Sequence, residues 1–163
     1  GIMELDFSEV EIEPMMREVA AGLASRFGEH GIDLAVRIAP DTGSIFADSA
    51  RLRQVMFNVL ANAADFAPEN STVTFTCERE DGGVVFKVRD RGPGIPPEAM
   101  DEIFNPFETG KPGRRRGAGL GLSLVKSFVT LHDGEVVIDS SPERGTEVVL
   151  HFPQVPPGVR VAA

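Results

Sequence analysis

Two asparagines stand one helical turn apart in the run RLRQVMFNVLANAADF, at Asn58 and Asn62. Side chains four residues apart share one helix face, so both amides can serve a single pocket. A neutral amide oxygen suits a hard cation such as magnesium when phosphates and water supply the other ligands. The bland alternative, two asparagines on a solvated face, is weak for Asn62. Its neighbours are Val59, Leu60, Ala61, Ala63 and Ala64, among which an idle amide is costly to bury. Downstream, Asp90 opens the turn DRGPGI, which ends at Ile95. Its carboxylate can accept a hydrogen bond from an exocyclic amine, or it can cap its own turn. A third motif, GAGLGL from Gly117 to Leu122, sets glycines at the mouth of a helix. There, unpaired amides and the positive end of the helix dipole can receive phosphate oxygens. Alone, such a cluster reads as a tight loop with a helix cap, and the chain has no GxxxxGK[ST]. Between these motifs lies IFNPF, Ile103 to Phe107, followed by a segment from Glu108 to Arg116 that carries Lys111, Arg114 and Arg115. Phenylalanines at this spacing suit a core, while the basic loop, with glycines as hinges, can close over a polyphosphate.

The elements that must position these residues are legible from periodicity. Apolar positions at Val10, Ile12, Met15, Met16, Val19, Leu23 and Phe27 predict a helix from about Glu9 to His30, closed by Gly28 and Gly31. Two short strands follow, Asp33 to Ile38 and Ser44 to Ala47, around the turn Pro40 to Gly43. Asp48 or Ser49 then caps a second helix that Pro68 cannot continue. Beyond Pro68 the period changes to two. Val73, Phe75 and Cys77 alternate with polar residues, Asp81-Gly82-Gly83 makes a hairpin turn, and Val84 to Val88 returns as a more buried strand. A short helical piece from Pro97 to Ile103 and a third helix from about Leu120 to Leu131 come next. Glu135 to Asp139 and Thr146 to Phe152 are the last strands. The expected fold is an α/β (α+β) two-layer sandwich, with one mixed, largely antiparallel sheet covered on one face by three helices. Its domain is expected to span 1–153, with 154–163 as a flexible tail.

Composition narrows the function classes. At 163 residues the length fits one domain with a real core. The formal net charge of -9 argues against a nucleic acid or an anionic membrane surface as partner. An anionic ligand must therefore be met locally. Cys77 is the lone cysteine, which excludes an internal disulfide and fits a reducing compartment. No apolar run is long enough to span a bilayer, so the chain is expected to be soluble and cytoplasmic, and monomeric as this fragment.

Taken together and in this order, the four motifs resemble the ATP-binding catalytic domain of bacterial sensor histidine kinases, a Bergerat-type ATP-binding fold. The likeness runs from about Leu5 to Pro153. It implies ATP and Mg2+ as cofactors. Asn62 would hold the metal, with Asn58 facing the same pocket, and these two are the expected catalytic residues. Asp90 would read the adenine amino group while Gly92, Gly94 and Ile95 let the backbone close on the base. The resemblance places Gly117, Ala118, Gly119, Leu120, Gly121 and Leu122 at the phosphates. It makes Phe107, Thr109, Gly110 and Lys111 part of a lid, expected to be the most mobile internal segment, and adds Phe66 and Thr146 to the pocket. Related ATPases of this fold resemble one another in carrying a glutamate at the position of Asn58. Asparagine cannot act as a general base, so phosphoryl transfer rather than efficient hydrolysis is expected.

His30, His132 and His151 lack the surroundings of the family's phosphoacceptor. The acceptor, a helical hairpin that also dimerises the kinase, is expected upstream in a longer parent, membrane-anchored or not, with a response regulator beyond it. One position departs from the family, which often has lysine followed by an aromatic where this chain has Asp65-Phe66. Asp65 either opposes phosphate binding or pairs with a lid cation such as Lys111 or Arg114. The first case keeps open a degenerate, regulatory domain acting through protein contacts. A serine kinase of the anti-sigma type is a more distant reading.

Overall fold

The computed structural model describes residues 5–92, 118–141, 143–156 and 158, with the side chains of 118–121 left out. Seven strands and three helices follow one another among these residues as β1 (Phe7–Glu11), α1 (Ile12–Glu29), β2 (Asp33–Ile38), β3 (Ser44–Asp48), α2 (Ser49–Phe66), β4 (Thr72–Glu80), β5 (Gly83–Asp90), α3 (Ala118–Leu131), β6 (Glu135–Ser141) and β7 (Gly145–Pro153). Five strands form the main sheet in the order β2-β4-β5-β7-β6. The β2–β4 pair is parallel and the other three pairs are antiparallel. This is the mixed, largely antiparallel sheet under three helices that the sequence predicts.

Local chemistry sets the element ends. Asp48 caps α2 by accepting the Arg51 amide at 3.1 Å. Helix α1 closes where Gly31 takes φ +66° and the Ile32 amide returns to the Phe27 carbonyl at 2.9 Å. Helix α2 buries Leu52, Val55, Met56, Val59, Leu60, Ala61, Ala63 and Ala64. So wide an apolar surface fits its position between α1 and α3 and over the sheet. Phe75, Phe86, Leu150 and Phe152 fill the core from the sheet side. Cys77 is fully buried there, and burial pushes its thiol up to about 12, against a smaller pull from Arg79 and with a small push from Glu78. It is a core residue without thiolate chemistry at neutral pH.

Four expectations are corrected. The first helix starts at Ile12 and not at Glu9, because Phe7–Glu11 pairs antiparallel with β3. For the same reason β3 leaves the main sheet and forms a two-stranded ribbon with β1. The parallel β2–β4 pairing ends with the Ala39 amide on the Cys77 carbonyl, and Arg79 then holds the departing chain at the carbonyls of Asp41 and Ser44. Helix α3 begins at Ala118, two residues earlier than expected. The ordered chain also continues past 153. Gln154 bonds through its backbone to Phe46 and Gly82, and through its side chain to Ser44 and Arg79.

The ribbon fixes the direction of all three helices. Gln154 ties β3 to the turn that starts β5, and the Ile12 amide bonds the Gly43 carbonyl, so α1 and α2 both set out from the ribbon end. Helix α3 finishes at that end. The Asp48 amide donates to His132 Nε2 at 3.0 Å, and His132 Nδ1 donates to the Phe128 carbonyl at 2.6 Å. With 14 residues, α3 starts about 20 Å away from there. The opposite end of the sandwich thus gathers the C-termini of α1 and α2, the N-terminus of α3 and the end of β5.

His132 is structural. It is buried edge-on between Phe7 and Phe152. Burial holds its imidazole below the ordinary value, against smaller opposing effects of the Phe128 carbonyl and Asp48. The unfolded chain therefore takes up a proton near pH 6.5 that the folded chain refuses. Stability from the neutral ring is complete above that pH and is lost as pH falls below it, by no more than about 1.4 kcal/mol per pH unit. Thermal unfolding from pH 8 to pH 5 is expected to show this slope, and His132→Gln should flatten it. A slope unchanged in the variant would remove His132 as its source.

Candidate nucleotide site

Strand β5 delivers Asp90 to the gathered helix ends. It is 7% exposed and pairs with Thr146 across the sheet. The Gly92 amide donates to Asp90 Oδ1 at 2.8 Å. Burial pushes the Asp90 carboxyl above its usual value, and the Gly92 and Thr146 amides pull it back. A buried carboxylate fixed by the Gly92 amide is a directed acceptor, suited to a neutral N–H donor in a ligand. The Thr146 hydroxyl is shared with Ser140 Oγ at 2.9 Å. Gly92 is needed for close approach, since a Cβ there would lie 2.8 Å from the Phe66 carbonyl oxygen and 3.0 Å from Asp90 Oδ1. The end of α2 and the turn after β5 therefore touch.

One turn back along α2, the Asn62 Oδ1 atom is buried without a hydrogen-bond partner among the described residues. Such an atom costs about 1–3 kcal/mol unless something occupies it. Among the described residues no group of three or more His, Cys, Asp or Glu side chains could hold a metal ion. The site offers a single neutral oxygen, which fits a magnesium ion bound mostly through phosphates and water and does not fit a protein cage. Asn58 is half-buried, one turn earlier on the same helix. Ala118, Gly119, Leu120 and Gly121 form the first turn of α3, so their amides have no partner within the helix, and Leu122 behind them is buried. Glycines at two of these four places keep side chains away from an anion at the amides.

Asp65 has a partner that the sequence reading did not name. The Arg26 guanidinium, from α1, grips it with Nη2 to Oδ2 at 2.9 Å, Nη2 to Oδ1 at 3.1 Å and Nε to Oδ1 at 3.3 Å. His30 Nε2 lies 3.9 Å from Oδ1. Of the expected site residues, Gly94, Ile95, Phe107, Thr109, Gly110, Lys111 and Gly117 lie outside the described residues, as do the 97–103 helical piece and the lid from Glu108 to Arg116. So do Lys111 and Arg114 as possible partners of Asp65.

A sandwich that brings together a buried acceptor at the end of β5, an amide oxygen on α2 unpartnered among the described residues and a glycine-bearing first turn of a helix has the architecture of a nucleotide-binding α/β domain. The sequence pattern of the histidine kinase-, DNA gyrase B- and HSP90-like ATPases matches residues 47–156, and the chain belongs to that family. It is 39% identical over 125 residues to histidine protein kinase DivJ of Caulobacter vibrioides, a match that covers 76% of this chain and 21% of DivJ. Among solved structures it resembles the nucleotide-free catalytic domain of histidine kinase ThkA, with a TM-score of 0.83 and 29% identity over 93% of this chain and 98% of that one. Full-length ShkA in complex with AMPPNP is similar at TM-score 0.79 and 34% identity, covering 99% of this chain and 34% of ShkA. The fold is that of histidine kinase catalytic domains. The chain spans only part of the curated relatives it matches, 21% to 38% of the first three.

Proposed function

We propose that the chain is the catalytic domain of a two-component sensor histidine kinase, which binds Mg-ATP and passes the γ-phosphoryl group to a histidine on a separate helical module. The observation that carries this reading is the Asn62 Oδ1 atom, buried and unpartnered among the described residues, one turn before the end of α2, where α2 meets Gly92. Asp90 accepts the adenine amino group, with Gly92, Gly94 and Ile95 around the base and Thr146 beside the carboxylate. The first-turn amides of α3, from Ala118 to Gly121, hold phosphate oxygens, and Lys111 with Thr109, Gly110 and Phe107 closes the pocket. Asn62, with Asn58 facing the same pocket, would hold magnesium, which would supply charge neutralisation at the phosphates. Catalysis on these residues is positioning and electrostatics. The parent protein is cytoplasmic in this part and hands its phosphoryl group to a response regulator.

The regulatory alternative rested on an uncompensated Asp65. The Arg26 pair supports the active reading instead, and so do relatives named as histidine kinases. The test is to mix the domain with Mg-ATP, with and without the parent's upstream acceptor segment. Acid-labile phosphohistidine should form on that segment. Hydrolysis by the domain alone should stay far below about 1 per second, because Asn58 offers no base. Rapid turnover without an acceptor, or no transfer with one, would contradict the proposal.

A further inference from the structure

Asp65 sits in a place where electrostatics should exclude it. It lies in the last turn of α2, which contains no basic residue. A helix C-terminus already carries partial negative charge, and the last turn of α1 comes to the same end of the molecule. Asp65 is three residues beyond Asn62 and adjacent to Phe66, whose carbonyl abuts Gly92. A site for a triphosphate would thus face two helix C-termini and a carboxylate. The structure answers with Arg26. It is the basic residue in the last turn of α1, where its charge also suits that helix end. The guanidinium holds both carboxylate oxygens, with the Asp65 side chain 13% exposed and that of Arg26 41% exposed. Among the described residues, His30 is the other basic group near this carboxylate.

We propose that Arg26 is a specificity-determining residue of the nucleotide site, cancelling the Asp65 charge so that this end of α2 accepts a triphosphate. The inference rests on the ATP reading above. Arg26 acts through Asp65 as a positioning residue that keeps the carboxylate turned onto α1. The pair replaces, with no net charge, the single cation that the family often carries at position 65. Its effect grows with the number of phosphates on the ligand and should be absent for adenosine.

The test is calorimetry of ATP, ADP and adenosine on the 163-residue chain, at low and high salt. Arg26→Met should weaken ATP roughly five- to tenfold at low salt and ADP by less, the size expected for one partly screened charge. Adenosine should stay within about twofold. Arg26→Lys should recover much of the loss, and the double variant Arg26→Met/Asp65→Asn should restore the ATP-to-ADP ratio. Asp65→Asn alone should favour ATP over ADP more than the unaltered chain does, and it answers the question if Arg26→Met does not fold. An unchanged ATP-to-ADP ratio in both single variants, or parallel losses for ATP and adenosine, would overturn the proposal. If the unaltered chain binds adenosine but not ATP, or binds neither, the ATP reading itself fails before any variant is compared.

Discussion

Asn62→Ala is expected to lower phosphoryl transfer by about two orders of magnitude or more while leaving the domain as stable as before, or more stable. The Asn62 Oδ1 atom is buried and unpartnered among the described residues. Its removal therefore relieves a desolvation penalty of about 1–3 kcal/mol if no ligand is present. The same change takes away the one amide that would hold magnesium against the phosphates, an electrostatic contribution of several kcal/mol to the reaction. Opposite signs for stability and activity mark a residue kept for chemistry rather than for folding. Thermal unfolding without nucleotide and transfer to the acceptor segment measure the two sides. A large fall in melting temperature with transfer intact would make Asn62 a structural residue.

Gly145→Ala is expected to damage fold and site together. Gly145 opens β7 at φ +80°, a region costly to any residue with a Cβ. A Cβ there would overlap the Asp90 carbonyl oxygen and come within 2.7 Å of Arg91 Cα. The pairing of Asp90 with Thr146 is the next step along the ladder, so relief of the clash must shift the candidate acceptor. A loss of about 2–4 kcal/mol is expected, equivalent to a fall in melting temperature on the order of 5–15 °C. Gly22→Ala is the matched control. Nothing lies within 4 Å of a Cβ at Gly22, inside α1, and alanine there should stabilise by about 0.5–1 kcal/mol. Equal melting temperatures for the two variants would contradict the account of Gly145.

What was legible in the sequence is what is encoded locally. The cap at Asp48, the stop at Pro68 and the hairpin at Asp81-Gly82 each depend on a few adjacent residues, and β2 falls where the alternation from Asp33 to Ile38 puts it. The first strand was hidden because Val10 and Ile12 also fit a helical period. Only its pairing with β3, more than 30 residues on, settles FSEVE as extended. Gln154 was read as tail for a similar reason, since its bonds to Ser44, Phe46 and Gly82 are remote in sequence. In the site, residue types pointed to Asn62 because an amide among alanines is costly to bury, and to Asp90 because its carboxylate ends a buried strand. Arg26 carried no such signal. It lies 39 residues from Asp65, and the meeting of two helix ends is fixed by packing that no short window contains.

The measurement that tests the central claim most directly is a calorimetric titration of the chain with Mg-ATP and Mg-GTP side by side. Asp90 is an acceptor held by the Gly92 amide, so it can take a hydrogen bond from the amino group of adenine and repels the carbonyl oxygen that guanine presents there. ATP should bind at least about tenfold more tightly than GTP. Asp90→Asn should weaken ATP by about tenfold or more, the usual size for a hydrogen bond to a buried charge. Equal affinity for the two nucleotides, or ATP binding untouched by Asp90→Asn, would contradict the assignment of this end of the sandwich as an adenine nucleotide site.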